Sequence, residues 1–165
     1  MENIVTIVPV HDNLSESVIG LILPIQQIEF NVPVTLADQP DLMVIDKAYH
    51  NPGGGFWGAF MNGELVGTIG LIYIGHSAGA IRKMFVKKEF RGKTYGIAQK
   101  LLETLIAYSI EKDISDLFLG TVPVLKSAIR FYERNKFLQV KMSDLPTYFP
   151  RMQADSVFYH LRLKG

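Results

Sequence analysis

The 165-residue chain has the size of one compact domain, and its 48% hydrophobic and 20% charged residues are the balance of an ordinary globular protein. A net charge of +1 excludes a global basic field for nucleic acid and an acidic solvating role, so any charged site must be local. The absence of cysteine excludes a disulfide scaffold, a thiolate metal site and a cysteine nucleophile, and it fits a cytoplasmic address.

In chain order, Met1, Glu2 and Asn3 carry no positive n-region, which predicts no targeting segment. Residues 4–8 read as a short β-branched strand. Asn13 or Ser15 can cap a helix running to about Phe30, with Val18, Leu21, Ile22, Ile25 and Ile28 on one face. Its apolar stretch, 18–28, is too short and too polar to span a bilayer, so no membrane partner is expected. Asn31-Val32-Pro33 ends it. Residues 38–49 read as a weaker helix with Pro40 in its first turn. After the punctuation Asn51-Pro52-Gly53-Gly54-Gly55, residues 56–61 and 64–74 read as strands joined by the hairpin turn Asn62-Gly63. Gly67, Gly70 and Gly75 in the return strand predict bulges or close backbone approach.

A second turn at 76–79 leads to a strand at 80–86 and a loop at 87–93. A helix follows from about Thr94 to Lys112, with an apolar stripe of Ile97, Ala98, Leu101, Leu102, Leu105 and Ile106. Residues 117–122 form a strand, 126–135 a helix, and 137–141 and 156–163 the last strands, with an irregular loop holding Pro146 and Pro150 between them. The order β-α-α-β-β-β-α-β-α-β-β predicts an α/β (α+β) fold in one domain over 1–165. Its central sheet is mixed and largely antiparallel, with helices on both faces.

The most informative stretch is Ile81-Arg82-Lys83-Met84-Phe85-Val86, running into Lys87-Lys88-Glu89-Phe90-Arg91-Gly92-Lys93-Thr94-Tyr95-Gly96-Ile97-Ala98. A strand enters a basic, glycine-bearing turn that opens a long helix. The first helical turn has N–H groups without intrahelical partners and a partial positive charge, so it suits an anion such as pyrophosphate. Gly92 and Gly96 allow close approach, and Arg91 and Lys93 add charge. A solvated loop with helix-breaking glycines is the competing reading. Neither a Walker P-loop nor a dinucleotide-binding fingerprint fits the spacing.

At these residues the chain resembles the GNAT superfamily of N-acetyltransferases. The family's first motif, a strand then Arg/Gln-x-x-Gly-x-Gly/Ala opening a helix, is matched by Lys93-x-x-Gly96-x-Ala98. Arg91 is kept as a second phosphate contact. Its later motif, a helix ending in a Phe-Tyr-Glu-Lys-x-Gly-Phe-like segment, is matched by Phe131-Tyr132-Glu133-Arg134-Asn135-Lys136-Phe137. The match covers roughly 80–140. Leu125 stands where the family often has Asn, Lys136 where Gly is usual, and Ala80 where many relatives carry Glu.

The resemblance implies acetyl-CoA as co-substrate and an amine as acceptor. It implies a cofactor site formed by Met84, Phe85, Val86, Arg91, Gly92, Lys93, Thr94, Tyr95, Gly96, Ile97 and Ala98, the first three through their backbone in a gap beside a splayed strand. Tyr132 resembles the acid that protonates the departing thiolate; a core tyrosine with a hydrogen-bonded hydroxyl is the alternative. For the base, Glu29, Asp46, His50, His76 and a water chain stay open. Met84 and Phe85 narrow the acyl pocket toward acetyl. A homodimer is common in the family. His11, His50, His76 and His160 show no metal-ligand spacing, so no metal is expected. A non-catalytic coenzyme A-binding sensor on the same fold is the other functional reading.

Overall fold

The computed structural model describes residues 4–152 and 154–163; the 1–3 stretch read for a targeting signal, and Gln153 of the last loop, lie outside the described residues. Among the described residues, seven strands form one sheet in the order β1-β2-β3-β4-β5-β7-β6. They are β1 (Val5–Pro9), β2 (Gly55–Met61), β3 (Glu64–Tyr73), β4 (Ala78–Val86), β5 (Asp116–Thr121), β6 (Leu138–Val140) and β7 (Val157–Arg162). Only β4 and β5 pair in parallel; every other pair is antiparallel. The β2–β3 hairpin turns at Asn62 and Gly63, both left-handed (φ 53° and 80°), as an Asn-Gly type I′ turn requires.

The period-2 alternation of the strands loads both faces. Trp57, Ala59 and Met61 of β2 and Leu117 and Leu119 of β5 pack against helix α2 (Ile97–Glu111) and helix α3 (Lys126–Arg134). Phe56 and Leu65 point the other way, onto helix α1 (Ser15–Pro24) and the turns that follow it. On that second face, nearer β7, Phe149 from the last loop packs with Ala78, Ala80, Phe118 and Phe158. Gly67 of β3 lets α2 approach closely: a Cβ there would lie 3.0 Å from Ile97 Cγ2.

Three local expectations are corrected. The first helix keeps α geometry only to Pro24 and then widens into a π turn, Ile25–Glu29, in which Phe30 N–H bonds to Ile25 O at 3.1 Å. Pro24 has no N–H to give and its ring crowds the preceding turn, so the helix opens by one residue. That rotation leaves Ile28 79% exposed, off the face it was assigned to. Neither Asn13 nor Ser15 caps the helix; a 3-10 turn, Asp12–Leu14, leads in. The second predicted helix is broken into a 3-10 turn, Pro40–Met43, and a π turn, Asp46–His50, separated at Val44 (φ −136°). No helix among the described residues is long and apolar enough to cross a membrane.

The site depends on an irregularity in β4. Its pairing with β5 stops at Ala80–Phe118, yet β4 runs on to Val86. Between Thr68 and Gly70 the β3–β4 register slips, and opposite the slip Lys83 adopts φ 54°. Thr68 Oγ1 donates to Lys83 O at 2.7 Å and holds the bulge. A left-handed non-glycine residue costs about 1–2 kcal/mol, so the surrounding bonds must over-determine it. The bulge turns β4 away from β5 and opens the sheet.

Candidate active site

The gap between the diverging strands is a cleft of about 230 Å³. Ile81 to Phe85 of β4 form one wall and Leu119 to Val122 the other, with Leu125, Ala128 and Tyr132 reaching in from α3. Gln26, Phe30 and Gln39 close it from the N-terminal segment, and Phe149, Met152 and Asp155 from the last loop.

At the far end of β4 lies the predicted anion turn. Helix α2 begins at Ile97, three residues later than the sequence suggests, because Gly96 is its N-cap and sits in the left-handed region at φ 61°. Gly92 is also left-handed (φ 101°), and Gly96 N–H bonds back to Gly92 O at 3.2 Å, closing a tight loop. Nothing lies within 4 Å of a Cβ built at either glycine, so the space above both is open. The N–H groups of Ile97, Ala98 and Gln99 have no intrahelical acceptor at these positions. Arg91, Gly92, Lys93 and Thr94 are exposed, while Tyr95 packs its ring on Phe90 at 5.6 Å. The arrangement offers backbone donors and a helix dipole to an anion.

Arg91 has protein partners beyond what the sequence suggested. Its Nε donates to Val86 O at 2.7 Å, its two terminal nitrogens grip the Glu29 carboxylate, and it lies 5.7 Å from the Phe30 ring centre. In this arrangement it fastens the anion turn to the π turn after α1. Met84 and Phe85 line the cleft, but Val86 is buried against the α2 side.

Tyr132 is 5% exposed and lines the cleft. Burial pushes its phenol far above the usual tyrosine range, so the hydroxyl stays protonated, and no described residue hydrogen-bonds it. Its position is set by the end of α3. Phe137 N–H bonds to Tyr132 O and Lys136 N–H to Glu133 O, both at 3.1 Å, the paired bonds of a Schellman cap. Phe137 completes the cap by packing its ring 5.4 Å from that of Tyr132. The cap needs a left-handed residue, and Lys136 supplies it at φ 73° without being glycine. Leu125 lines the cleft at the start of α3, and no side chain caps that helix end.

The four side chains proposed as bases all lie elsewhere or are held. Glu29 is clamped by Arg91, whose hydrogen bonds keep its carboxyl below the usual range. Asp46 bonds to His11 Nδ1 at 2.5 Å, His50 Nε2 contacts Val10 O at 2.7 Å, and His76 stacks on Tyr148. His11, Asp46 and His50 do form a cluster with the potential to bind metal. At 2.5 Å the first two are at hydrogen-bond distance, closer than the roughly 3.3 Å separating two ligands on one tetrahedral zinc.

Sequence reasoning missed the polar groups of the cleft. Lys83 Nζ donates to Gln39 Oε1 at 2.6 Å and lies 3.7 Å from Asp41, which also accepts from Tyr49. Arg82 donates to Met152 Sδ at 2.9 Å and to Pro150 O. Asp155 lies against Gly120 of β5. A glycine inside a buried strand was the one available signal, since it marks close approach.

The sequence model of the Acetyltransferase (GNAT) family matches residues 22–137. An acetyltransferase of the GNAT family from Staphylococcus aureus Mu50 is 40% identical and superposes with a TM-score of 0.94, covering 98% of this chain and 100% of that one. The PaiA N-acetyltransferase of Thermoplasma acidophilum, solved in complex with coenzyme A, shares the fold at 15% identity (TM-score 0.73, 98% and 99% covered). The uncharacterized N-acetyltransferase YjgM of Escherichia coli (strain K12) is 33% identical over 106 residues, 62% of each chain. The chain spans about half the length of the curated relatives it matches.

Proposed function

The chain belongs to the acetyltransferase (GNAT) family, and from that premise we propose that it transfers the acetyl group of acetyl-CoA to a primary amine of a small molecule or peptide. The observation that carries this reading is the cleft itself. It lies along β4 beside a protonated, unpartnered Tyr132 hydroxyl, and β4 leads out of it to the backbone anion turn at Gly92 and Gly96. A coenzyme A molecule has matching parts: pyrophosphate at the turn, a pantetheine arm along the unpaired side of β4, and a thioester near Tyr132.

In this reading Ile97, Ala98 and Gln99 offer N–H groups to the pyrophosphate, with Lys93 adding charge. Met84 and Phe85 present backbone groups to the pantetheine amides and side chains to the acyl group. Tyr132 gives its proton to the leaving thiolate. The Staphylococcus aureus relative supports the fold along the full chain, and the Thermoplasma complex supports a coenzyme A-shaped site on that fold. A cytoplasmic address belongs to the same proposal.

The test is thermal. A ligand present at 100 times its dissociation constant stabilises by about 2.7 kcal/mol, so coenzyme A should raise Tm by roughly 5–10 °C. Pantetheine without phosphates should do much less. Equal shifts would remove the anion site from the reading.

A further inference from the structure

We propose that Asp155 is the proton acceptor for the attacking amine, an assignment that rests on the acetyl-transfer reading above. Asp155 precedes β7, and the next residue, Ser156, is tied to the end of β5 by its N–H to Thr121 O at 3.0 Å. The Asp155 carboxylate lies flat on β5: a methyl group at Gly120 would come within 2.6 Å of Oδ2. Gly120 shares a face of β5 with Phe118, whereas Leu117 and Leu119 face α2 and α3. Asp155 therefore enters the cleft from the face opposite Tyr132. Acid and base reach the gap from its two sides, as an acyl carbon needs when the amine arrives on one side and the thiolate leaves toward the other.

The carboxylate is also available. No side-chain hydrogen bond ties it to another described residue, unlike Glu29 and Asp46, and it lines the cleft. The charged groups acting on it are Arg82 and Lys83 of β4, each held by its own partners at Pro150 and Gln39. Burial raises its pKa and the two cations pull it back, leaving it above the usual aspartate range. A base so raised holds a proton more firmly than an exposed aspartate does. It also stands in for the carboxylate missing at Ala80, which is paired to Phe118 two residues back along the cleft.

The acceptor enters as an ammonium ion and gives one proton to Asp155. The freed lone pair attacks the thioester carbon; the C–N bond forms and the C–S bond breaks. Tyr132 protonates the thiolate, and the second nitrogen proton, lost as the amide forms, returns to the phenolate through solvent. Asp155 releases its proton to water, giving one acetamide, one thiol and one proton per turnover.

The experiment compares wild type with Asp155→Asn and Gly120→Ala. Calorimetry should show equal acetyl-CoA affinity for wild type and Asp155→Asn. No binding by wild type would overturn the acetyl-transfer reading and this assignment with it. In the coenzyme A-bound protein, carboxyl-detected NMR should show Asp155 titrating above an ordinary aspartate. Ethylammonium, as probe, should lower that value by pairing with the carboxylate. An ordinary titration that ethylammonium leaves unmoved would overturn the assignment whether or not an acceptor is in hand. With spermidine, lysine and aspartate as acceptors, the wild-type rate should fall as pH drops through the Asp155 pKa. Asp155→Asn should lose about 10²–10³-fold in kcat together with that low-pH limb, and Gly120→Ala, which displaces the carboxylate, about tenfold. An unchanged kcat and pH limb in Asp155→Asn would sink Asp155 and leave the acetyl-transfer reading standing.

Discussion

The two ends of the candidate site, the cleft and the anion turn beyond it, are built by opposite means. The end at Gly92 and Gly96 is made of backbone: two left-handed glycines, a helix start and the unpaired side of a strand, all within residues 81–98. The end at Asp155 is made of side chains brought from distant elements, with Lys83 meeting Gln39 across 44 residues and Arg82 meeting Pro150 across 68. A backbone site accepts an invariant ligand and tolerates many side chains around it. A side-chain site can be rewritten by single substitutions, and in the proposed reading it is where acceptor choice would be set.

The sharpest way to break this contrast is Gly96→Glu. The structure places Gly96 at a left-handed N-cap, not within the first turn, so any side chain there costs about 1 kcal/mol of strain. The added carboxylate also occupies the open space above the turn. Coenzyme A binding should become unmeasurable by calorimetry, while circular dichroism shows a folded protein a few degrees less stable. Gly96→Ala, with the strain and without the charge, should retain most of the affinity. Similar losses in both would mean that backbone geometry, not anion binding, is what the glycine serves.

Tyr132→Phe probes the hinge between the two ends. If the hydroxyl acts in the transition state as proposed, this variant should lower kcat by roughly 10- to 1000-fold and leave acetyl-CoA affinity within about twofold. Thiol release against a working acceptor reads it. A wild-type kcat would return Tyr132 to a core role.

The smallest effect is expected at Lys136. Its φ of 73° satisfies the cap beneath Tyr132 at a cost that glycine avoids. Lys136→Gly should gain about 0.5–1 kcal/mol, net of the greater freedom of glycine in the unfolded chain, and raise Tm by ~1–4 °C. A loss of stability would show that the lysine side chain contributes more than its backbone strain removes.

What could be read from the sequence follows the same division. The Asn62-Gly63 turn, the α2 stripe and the anion turn are local patterns, and each appears where its residues predict, within three residues. Tyr132 was legible because it belongs to a contiguous segment that ends in a cap. Pro24 was visible in the sequence, yet the π turn it provokes and the exposure of Ile28 were not, since both depend on how the widened helix packs. The 38–49 segment reads as one helix by composition but breaks at Val44, where Leu42, Ile45 and Tyr49 must all reach the same core. Arg91 illustrates the limit most clearly. Its charge and position suggested phosphate, while its carboxylate partner Glu29 lies 62 residues away.

The divergence of β4 from β5 has one more consequence. A sheet ordinarily has two free edges, both at its rim, and such edges invite pairing with foreign strands. This sheet has β1 and β6 at its rims and a third edge inside, along β4 beyond Ala80. The interior edge is sheltered by α3 on one face and by Phe149, Met152 and Asp155 of the last loop on the other, so it is protected from other chains by enclosure. In the proposed reading this edge takes a narrow, extended molecule that carries its own donors and acceptors. The fold thus keeps an unfinished strand position in its centre, where the polypeptide leaves its hydrogen-bond ladder open.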